Sequence, residues 1–340
     1  MGSVWSRCVN AIVVLLNWNG WCDTLECLES LLSTLSADAS VVVCDNASSD
    51  GSVERICEWV VANAPDRGPV LLRRDDVLDG AVPRTGQVHI VDNGGNLGFA
   101  GGNNSGVRLA LNDPACSYVW LLNNDTTVER GTLPAAIARM EADPRIGICG
   151  STLMYYHEPD SVQAFGGAVY SRWTGRSRHL GAFARRVDVP DDPRGVEAQM
   201  SYVVGASMLV RRAFVERVGY MREDYFLYCE EIDWATRGSK FFRLGYAPDS
   251  VVRHKEGASI GTSAVGGSPL SLFYLFRNRV RYAWRFHRAY VPSVLLFCGL
   301  DIAKLVLRRR WPQALAAVRG VMQLGRAAPV PSAREQGAQA

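Results

Sequence analysis

The chain has 340 residues, of which 48% are hydrophobic and 21% charged, a composition typical of a globular protein that is large enough for one α/β domain with an appendage. Its nine cysteines are scattered, odd in number and without a Cys-x-x-Cys pair, which argues against a disulfide framework or a structural zinc site and favours reduced thiols in the cytosol. The net charge of +3 hides a basic stretch: between Arg277 and Arg326 there are eleven Lys or Arg and one acid, Asp301.

The first half of the chain predicts alternating strands and helices. Apolar strands are expected at residues 11–16, 41–44, 88–91 and 118–125. The first is too short for the core of a signal peptide. Asp23, with Glu26 three residues later, is expected to cap the first helix, and helices ending near residues 63 and 112 follow the next two strands. Residues 64–86 are expected to form a surface excursion. This alternation predicts a doubly wound, mostly parallel sheet.

Beyond residue 150 the pattern changes, and further strands are expected to complete the sheet. They are placed at residues 162–170, 202–210 and 250–254, with a helix that follows residues 225–234 and ends near residue 244. Residues 171–200 are basic and interrupted by Gly and Pro, which predicts a mobile loop.

Short polar residues follow each of the four strands of the first half. They are Asn17 and Asn19, Asp45 and Asn46, Asn96, and Asn123, Asn124 and Asp125. Because open α/β sheets bind ligands just outside the carboxyl ends of their strands, these residues predict a crevice that binds a nucleotide. Asp125 is placed to hold a divalent cation against a phosphate. The alternative is that these residues only form turns or cap helices.

A Gly-rich segment, residues 96–106, opens the helix after the third strand and contains Gly98 and Asn104. Small residues and free backbone N–H groups at a helix start suit the close approach of a diphosphate. A tight loop that needs glycine backbone angles is the alternative. The glycines do not spell Gly-x-Gly-x-x-Gly after the first strand, so a dinucleotide-binding dehydrogenase is disfavoured.

Three carboxylates, Glu230, Glu231 and Asp233, stand at a predicted helix start among aromatic residues. These surroundings should raise a carboxylate pKa and make the group a better base toward a hydroxyl. The alternative is that they only favour the helix dipole, and Asp233 is expected to pair with Arg237. His254 ends the last predicted strand and could complete the cation site with Asp125, although a single His is more often structural.

Taken in order, these segments resemble the inverting glycosyltransferases of family 2, which have the GT-A nucleotide-diphospho-sugar transferase fold. The resemblance lies in residues 16–20, 45–52, 96–106, 121–126 and 226–234. Within the family, the chain is most similar to bacterial rhamnosyltransferases that build cell-surface polysaccharide. The resemblance implies a nucleotide-sugar donor such as dTDP-rhamnose, a divalent metal ion (Mg²⁺ or Mn²⁺) and inversion at the anomeric carbon.

The resemblance also assigns roles to single positions. Asp45 is expected at the nucleobase and Asn96 near the donor. Further donor-site residues are expected to be Asn17, Asn46, Gly98, Asn104, Asn123 and Asn124. Residues 123–125 stand where the family has Asp-x-Asp. The first of these is Asn here, which leaves Asp125 as the metal carboxylate, and His254 resembles the family's downstream metal histidine.

The family often has Glu-Asp at the position of Glu230 and Glu231, and the second member of that pair is the catalytic base. Glu231 is therefore the expected base, with Glu230 and Asp233 as the other catalytic candidates. A GT-A catalytic domain is expected over residues 8–266, with a nucleotide-sugar half (8–126) and an acceptor half (127–266).

A basic, amphipathic helical appendage is expected at residues 267–328, followed by a disordered tail, 329–340. Arg277, Arg281, Arg285 and Arg288 would share one face of its first helix. The apolar run that follows, residues 291–300, falls short of the roughly 20 residues of a membrane span. An interfacial helix on the anionic inner leaflet is expected, which makes the protein cytoplasmic and peripheral. The alternative is a helical pair packed on the catalytic domain.

The expected function is transfer of a sugar to a hydroxyl of a lipid-linked or growing cell-surface glycan, such as a polyprenyl-diphosphate-linked acceptor. One alternative is a glycosyltransferase with a soluble natural-product acceptor. Another is a noncatalytic protein that binds nucleotide sugars or nucleic acid through the basic stretch. Glu231, Asp125 and His254 argue against this last alternative, so no nucleic-acid partner is expected.

Overall fold

The computed structural model describes residues 10–255 and 267–323. Their strands are β1 (Asn10–Asn17), β2 (Val41–Asp45), β3 (Val70–Arg73), β4 (Val88–Asp92), β5 (Cys116–Asn123), β6 (Thr126–Val128), β7 (Ile146–Tyr155), β8 (Val162–Phe165), β9 (Gly167–Ser171), β10 (Arg176–His179), β11 (Tyr202–Val203), β12 (Ser207–Arg211) and β13 (Arg243–His254). Their helices are α1 (Trp21–Thr34), α2 (Ser52–Asn63), α3 (Arg74–Leu78), α4 (Gly98–Asn112), α5 (Thr132–Ala142), α6 (Arg194–Glu197), α7 (Arg212–Val218), α8 (Glu230–Gly238), α9 (Pro269–Phe286), α10 (Val291–Leu307) and α11 (Trp311–Met322). The predicted tail, residues 329–340, lies outside the described residues.

One large mixed sheet forms the centre of the protein. Nine of its strands follow the order β3-β4-β2-β1-β5-β12-β7-β13-β6, and β8 pairs with β7. The first five strands in this order, β3, β4, β2, β1 and β5, are parallel to one another. Strand β12 lies between β5 and β7 and is antiparallel to both. A small antiparallel sheet, β10-β9-β11, lies beside it. The predicted doubly wound, mostly parallel α/β sheet is therefore found.

The sheet separates two hydrophobic cores, and β1 contributes to both. Val13 and Leu15 pack with α1, α2 and α5, whereas Ile12 and Val14 pack with α4, α7 and α8. Successive side chains of a strand point to opposite faces, so a continuous apolar run is what a strand covered on both faces requires. This is why the apolar runs identified the central strands.

The predicted amino-terminal cap of α1 is wrong. The helix starts at Trp21 after Gly20 and has no side-chain cap. Asp23 and Glu26 instead bind Lys255, which follows them by more than 200 positions in the chain. The Nζ atom of Lys255 lies 2.6 Å from a carboxylate oxygen of each. A long-range ion pair thus replaces the expected local hydrogen bond and ties α1 to the end of β13.

Four further predictions fail where the structure has short elements in place of loops or of longer strands. Residues 64–86 contain the edge strand β3 and the helix α3, and residues 171–200 are not only a loop, since they contain β10 and α6. The strand expected at 162–170 is divided at Gly166, whose φ of +65° interrupts extended backbone. Residues 202–210 likewise form two strands, β11 and β12.

The helix expected to reach residue 244 ends at Gly238. The last strand starts at Arg243, well before residue 250, and a register shift between Ala247 and Val251 bends it. The irregular pairing hides the period-two pattern that would have marked one long strand.

Helices α9, α10 and α11 pack together around a small core of their own, which includes Phe276, Val280, Val294, Cys298 and Ala317. Ser268 caps α9 by accepting a hydrogen bond from the backbone N–H of Ser271, 3.1 Å away. The helices of this unit are those predicted from the basic stretch.

Three of the four arginines predicted to share one face of α9 contact the catalytic domain. Arg277 is 1% exposed, and Arg281 and Arg285 both pair with Asp224 in the loop before α8. The alternative of helices packed on the catalytic domain describes α9 correctly. Arg288 is exposed.

The apolar segment of the appendage is longer than the predicted run of ten residues. Together with the turn before α10, Arg288–Leu307 forms a helix of 20 residues. Its most apolar 18-residue window has a mean hydropathy of 1.8 and is 17% buried, so by length and composition the helix could cross a membrane. Asp301 lies within it and is bound by Arg279 of α9 and Arg176 of β10. These ion pairs attach the helix to the catalytic body.

Candidate active site

A cavity of about 270 Å³ opens at the carboxyl ends of β1 and β5. We call it the catalytic cavity. Residues 123–125 enter it after β5, His254 enters from the end of β13, and Glu230 and Glu231 enter from the start of α8. Side chains that are up to 131 positions apart in the chain therefore meet in one space.

Asp125 and His254 face each other in this cavity. The Oδ1 atom of Asp125 lies 3.2 Å from Nε2 of His254, is buried and receives no well-aligned hydrogen bond. Nδ1 of His254 is 2.9 Å from Oε1 of Gln163, an acceptor, so a neutral imidazole would carry its proton on Nδ1 and offer the Nε2 lone pair to a cation. Burial raises the pKa of Asp125, but His254 and Lys255 outweigh it and lower the pKa overall, so the carboxylate is ionised.

These two side chains fit a divalent cation. A carboxylate oxygen without a donor and an imidazole lone pair face the same space, and two ligands about 2.1 Å from one octahedral ion lie about 3 Å apart. Within residues 10–255 and 267–323 there is no cluster of three His, Cys, Asp or Glu residues that could hold a metal. The remaining ligands would come from water and from the phosphates of a bound substrate, as is common for Mg²⁺.

Glu231 also lines the catalytic cavity, which it enters from the start of α8. Burial raises the pKa of Glu231 to about 7, as expected for a carboxylate among aromatic residues. Burial and the charge of Glu231 raise the pKa of Glu230 well above its usual value, which favours the protonated form of Glu230. A Cβ atom added at Gly205 would collide with Oε1 of Glu231, so Gly205 provides the space for this carboxylate.

The loop before these glutamates is strained. Phe226, Tyr228 and Cys229 have φ values of 67°, 67° and 73°, a region that such residues rarely adopt. Nδ2 of Asn278, on α9, contacts the backbone carbonyl oxygens of Tyr225, Leu227 and Tyr228 at 2.8, 2.6 and 3.2 Å. The carboxy-terminal helices therefore hold the loop that positions Glu231.

The pKa of Glu231 predicts the pH dependence of turnover. If Glu231 is a base it must be ionised, so kcat at saturating donor and metal is expected to rise with pH and level off above about 7. Below that value kcat should fall about tenfold per pH unit. An unshifted carboxylate would instead leave kcat constant between pH 6 and 8. The measurement is kcat from pH 5.5 to 8.5, and a flat profile would contradict the role.

Gly98 joins the Gly-rich segment to the strained loop. Its φ is +70°, and a Cβ atom there would collide with the carbonyl oxygen of Phe226, which accepts a 2.7 Å hydrogen bond from the N–H of Phe99. Gly98→Ala is expected to lower the free energy of unfolding by about 2–4 kcal/mol in chemical denaturation. In Gly95→Ala the new Cβ meets no atom within 4 Å, so that variant is the control. Equal effects of the two variants would contradict this account of the loop.

The predicted donor residues near β1 and β2 are bonded to one another. Nδ2 of Asn17 donates to Asp45 Oδ1 at 2.7 Å, and Asp45 Oδ2 accepts from the backbone N–H of Ser48 at 2.8 Å. Asp45 is 1% exposed and does not line the catalytic cavity. Its oxygens have protein partners, which favours the turn over the predicted contact with a nucleobase.

Asn46 and Asn96 also hold the backbone near the cavity. Asn46 donates to the carbonyl oxygen of Gly98 at 3.1 Å, and Asn96 Oδ1 accepts from the N–H of Gly98 at 3.0 Å. Asn123 and Asn124 do line the cavity, and Asn124 also binds Thr24 Oγ1 at 2.9 Å. Asn123 and Asn124 therefore form part of the cavity wall, and Asn46 and Asn96 fix the backbone near it.

Two predicted site residues have structural environments away from the cavity. Asn104 binds the backbone of Met221 with both ends of its amide, which favours a structural role over the predicted donor contact. Asp233 is fully buried and is bound by Tyr225 and by Arg237, at 2.9 and 2.7 Å. The predicted pair with Arg237 is confirmed, and it leaves Asp233 poorly placed to act as a base.

The sequence interpretation missed three residues that line the catalytic cavity: Trp18, Gln163 and His179. Trp18 has a buried indole N–H without a partner, and Gln163 orients His254. Trp18 lies in the loop after β1 that was expected to reach the crevice. Gln163 and His179 lie on strands whose position beside the site no local pattern indicates.

Residues 12–218 match the family model described as "Glycosyl transferase family 2". The chain belongs to this family. The predicted family and the GT-A fold are thereby confirmed, whereas the comparison says nothing of which sugar is transferred. No site residue is assigned by it.

The sequence similarity of the chain to a named hexosyltransferase is low. The chain is 24% identical over 215 residues to "Low-salt glycan biosynthesis hexosyltransferase Agl10" of Haloferax volcanii, a match that covers 63% of this chain and 58% of the relative. The chain thus spans less than two thirds of that protein's length.

Two solved structures share the fold. A mannosyltransferase, PcManGT from Pyrobaculum calidifontis, in complex with GDP-Man and Mn²⁺ has a TM-score of 0.55 and 15% identity, covering 94% of this chain and 88% of that one. GalNAc-T7 with UDP, GalNAc and Mn²⁺ has a TM-score of 0.54 and 14% identity, covering 81% and 47%. At such identities the likeness extends to the fold alone.

Proposed function

We propose that the chain is a metal-dependent inverting glycosyltransferase that moves a hexose from a nucleotide-diphospho-sugar to a hydroxyl group. The observation that carries the proposal is the meeting of Asp125, His254 and Glu231 in one cavity at the carboxyl edge of the sheet. The two solved relatives hold Mn²⁺ with a nucleotide or nucleotide-sugar, which supports the metal and the donor class.

Each group has a role in this reaction. A divalent cation held by Asp125 and His254 would offset the negative charge that develops on the departing diphosphate. Glu231 accepts the proton of the acceptor hydroxyl as its oxygen attacks the anomeric carbon from the side opposite the diphosphate, whose bond to that carbon breaks. Attack from the opposite side inverts the configuration. Gln163 keeps the Nε2 lone pair of His254 directed into the cavity.

For the donor sugar we propose rhamnose, from dTDP-rhamnose, and for the acceptor a lipid-linked or growing cell-surface glycan. The sequence resemblance to rhamnosyltransferases supports the sugar. The glycan biosynthesis named for the Haloferax relative supports an acceptor of the glycan class.

We also propose a peripheral position on the inner face of the cytoplasmic membrane. Apolar side chains on α10 and α11 point to solvent. They are between 48% and 83% exposed and belong to Leu296, Leu300, Leu307, Trp311 and Met322. Exposed Arg308 and Arg309 stand between them at the end of α10. An apolar face flanked by basic residues suits insertion into an anionic interface.

A panel of nucleotide sugars with and without Mn²⁺ tests the donor by thermal shift. The selective donor should stabilise the protein by about 2.7 kcal/mol at a hundred times its Kd, and only when Mn²⁺ is present. dTDP-rhamnose is the expected donor, and UDP-sugars and GDP-mannose are the comparisons. If no nucleotide sugar raised the melting temperature, the proposed function would be contradicted. If another nucleotide sugar raised it selectively, that sugar would replace rhamnose as the proposed donor.

A further inference from the structure

A second and larger cavity, of about 620 Å³, lies between the catalytic domain and helices α9 and α10. We call it the helix cavity. It shares His179, Val204, Tyr228 and Glu231 with the catalytic cavity, so the two spaces meet at Glu231. A molecule in the helix cavity can therefore present one end to the group proposed as the base.

The wall of the helix cavity carries more positive than negative charge. Four cationic side chains line it, Arg176, Arg279, Lys304 and Arg308, whereas its carboxylates are Asp301 and, at the junction, Glu231. Arg176 and Arg279 both bind Asp301, and Nζ of Lys304 is 3.8 Å from the same carboxylate. Arg308 has no salt bridge to any carboxylate in the described part of the chain. One carboxylate shared among these cations leaves room for a polyvalent anion.

The rest of the wall is divided by polarity. Toward the small sheet it is polar, with Ser177 and the ring of Tyr202. Toward α9 and α10 it is apolar, with Leu272, Leu275 and Leu305. The ligand that matches this wall has a polar end near Glu231, an anionic group at the arginines and lysine, and a hydrocarbon part along the helices.

We propose that the helix cavity is the acceptor site, and that it binds a diphosphate ester of a long hydrocarbon chain with its sugar-bearing end at Glu231. This inference rests on the proposed function and adds the place and the chemistry of acceptor recognition. Lys304 and Arg308 bind the diphosphate, and Leu275 contacts the chain.

Geranylgeranyl diphosphate is a suitable probe because it has the chain and the diphosphate without a sugar. Its binding to the full-length protein would be measured by equilibrium dialysis, below its micelle-forming concentration. EDTA would be present so that the metal site in the catalytic cavity cannot capture the diphosphate. Inorganic pyrophosphate and geranylgeraniol are expected to bind at least about tenfold more weakly, since each lacks one of the two recognised parts.

Charge variants separate specific from general attraction. Lys304→Gln with Arg308→Gln should weaken binding of the probe about tenfold or more. Arg309→Gln with Arg319→Gln removes the same charge from exposed positions outside the cavity wall and should change binding less than about twofold. Leu275→Gln should weaken it as well, whereas Leu296→Gln, on the outer face of α10, should not. All six positions are exposed, so the four variants are expected to fold.

The proposal is overturned if the wild type does not bind the probe, if both charge pairs weaken binding equally, or if pyrophosphate binds as tightly as the probe. Donor binding in Mn²⁺, measured on the same proteins, keeps the two proposals distinguishable. Failure of nucleotide-sugar binding would contradict the glycosyltransferase function. Normal donor binding without binding of the probe would contradict only the acceptor site.

Discussion

Glu231→Gln is expected to lower kcat by about 10³-fold while the Kd of the donor stays within about twofold of the wild-type value. The amide keeps the shape of the side chain but cannot accept the proton of the acceptor hydroxyl. Because Glu231 enters the catalytic cavity from α8, whereas Asp125 and His254 follow β5 and end β13, donor binding should not depend on Glu231. The measurement is the rate of nucleoside diphosphate release at saturating donor, with donor affinity determined by calorimetry.

Glu230→Gln is the matched control for this variant. Burial and the neighbouring Glu231 raise the pKa of Glu230, which favours its protonated form, and the amide has the shape of that form. We expect less than about a tenfold loss of kcat from this change. Equal losses in both variants, or a Glu231→Gln protein that keeps full turnover, would contradict the assignment of the base.

Asp125→Asn is expected to abolish the metal dependence of donor binding and to lower kcat/KM by about 10²-fold or more. The substitution removes a carboxylate whose Oδ1 faces His254 at 3.2 Å and receives no well-aligned hydrogen bond. An amide binds a hard cation far more weakly than a carboxylate does. The measurement is donor affinity at increasing Mn²⁺ concentration.

Asp92→Asn provides the comparison, because Asp92 also ends a parallel strand but is exposed and does not line the catalytic cavity. Its donor affinity and Mn²⁺ dependence should match those of the wild type. A loss of metal dependence in Asp92→Asn, or its persistence in Asp125→Asn, would show that the cation is held elsewhere.

The central strands and the residues after them could be predicted because both depend on local patterns. β1, β2, β4 and β5 are apolar runs covered on both faces, and polar residues follow where the chain leaves the sheet. The edge strand β3 escaped prediction because its side chains alternate between half-buried and exposed within a polar segment. A cation site of Asp125 and His254 could be suggested from the residues themselves, whereas the role of Glu231 as the base beside it came from the order of motifs that resembles the family.

Long-range partners could not be predicted. Lys255 binds Asp23 and Glu26 across more than 200 positions, and Gln163 reaches His254 from a strand whose pairing the sequence does not reveal. The basic face of α9 was visible in the sequence, but its partner, Asp224, was not. A pattern of charges shows that a helix face is basic and does not show what covers it.

Helix α9 belongs with the catalytic machinery more closely than an appendage would. Asn278 is fully buried and donates to three backbone carbonyl oxygens of the strained loop before Glu230. The same helices form one wall of the helix cavity. The basic end of the chain therefore stabilises the loop of the proposed base and, in our proposal, selects the acceptor that meets it.

Calorimetric titration of dTDP and UDP, with and without Mn²⁺, into the wild type, Asp125→Asn and Glu231→Gln tests the central claim most directly. We expect Mn²⁺-dependent binding of one nucleotide to the wild type and to Glu231→Gln, and binding at least about 100-fold weaker to Asp125→Asn. Nucleotide binding to the wild type that does not depend on Mn²⁺ would contradict a metal site at Asp125. Equal loss of nucleotide binding in both variants would contradict separate roles for Asp125 as a metal ligand and Glu231 as the base.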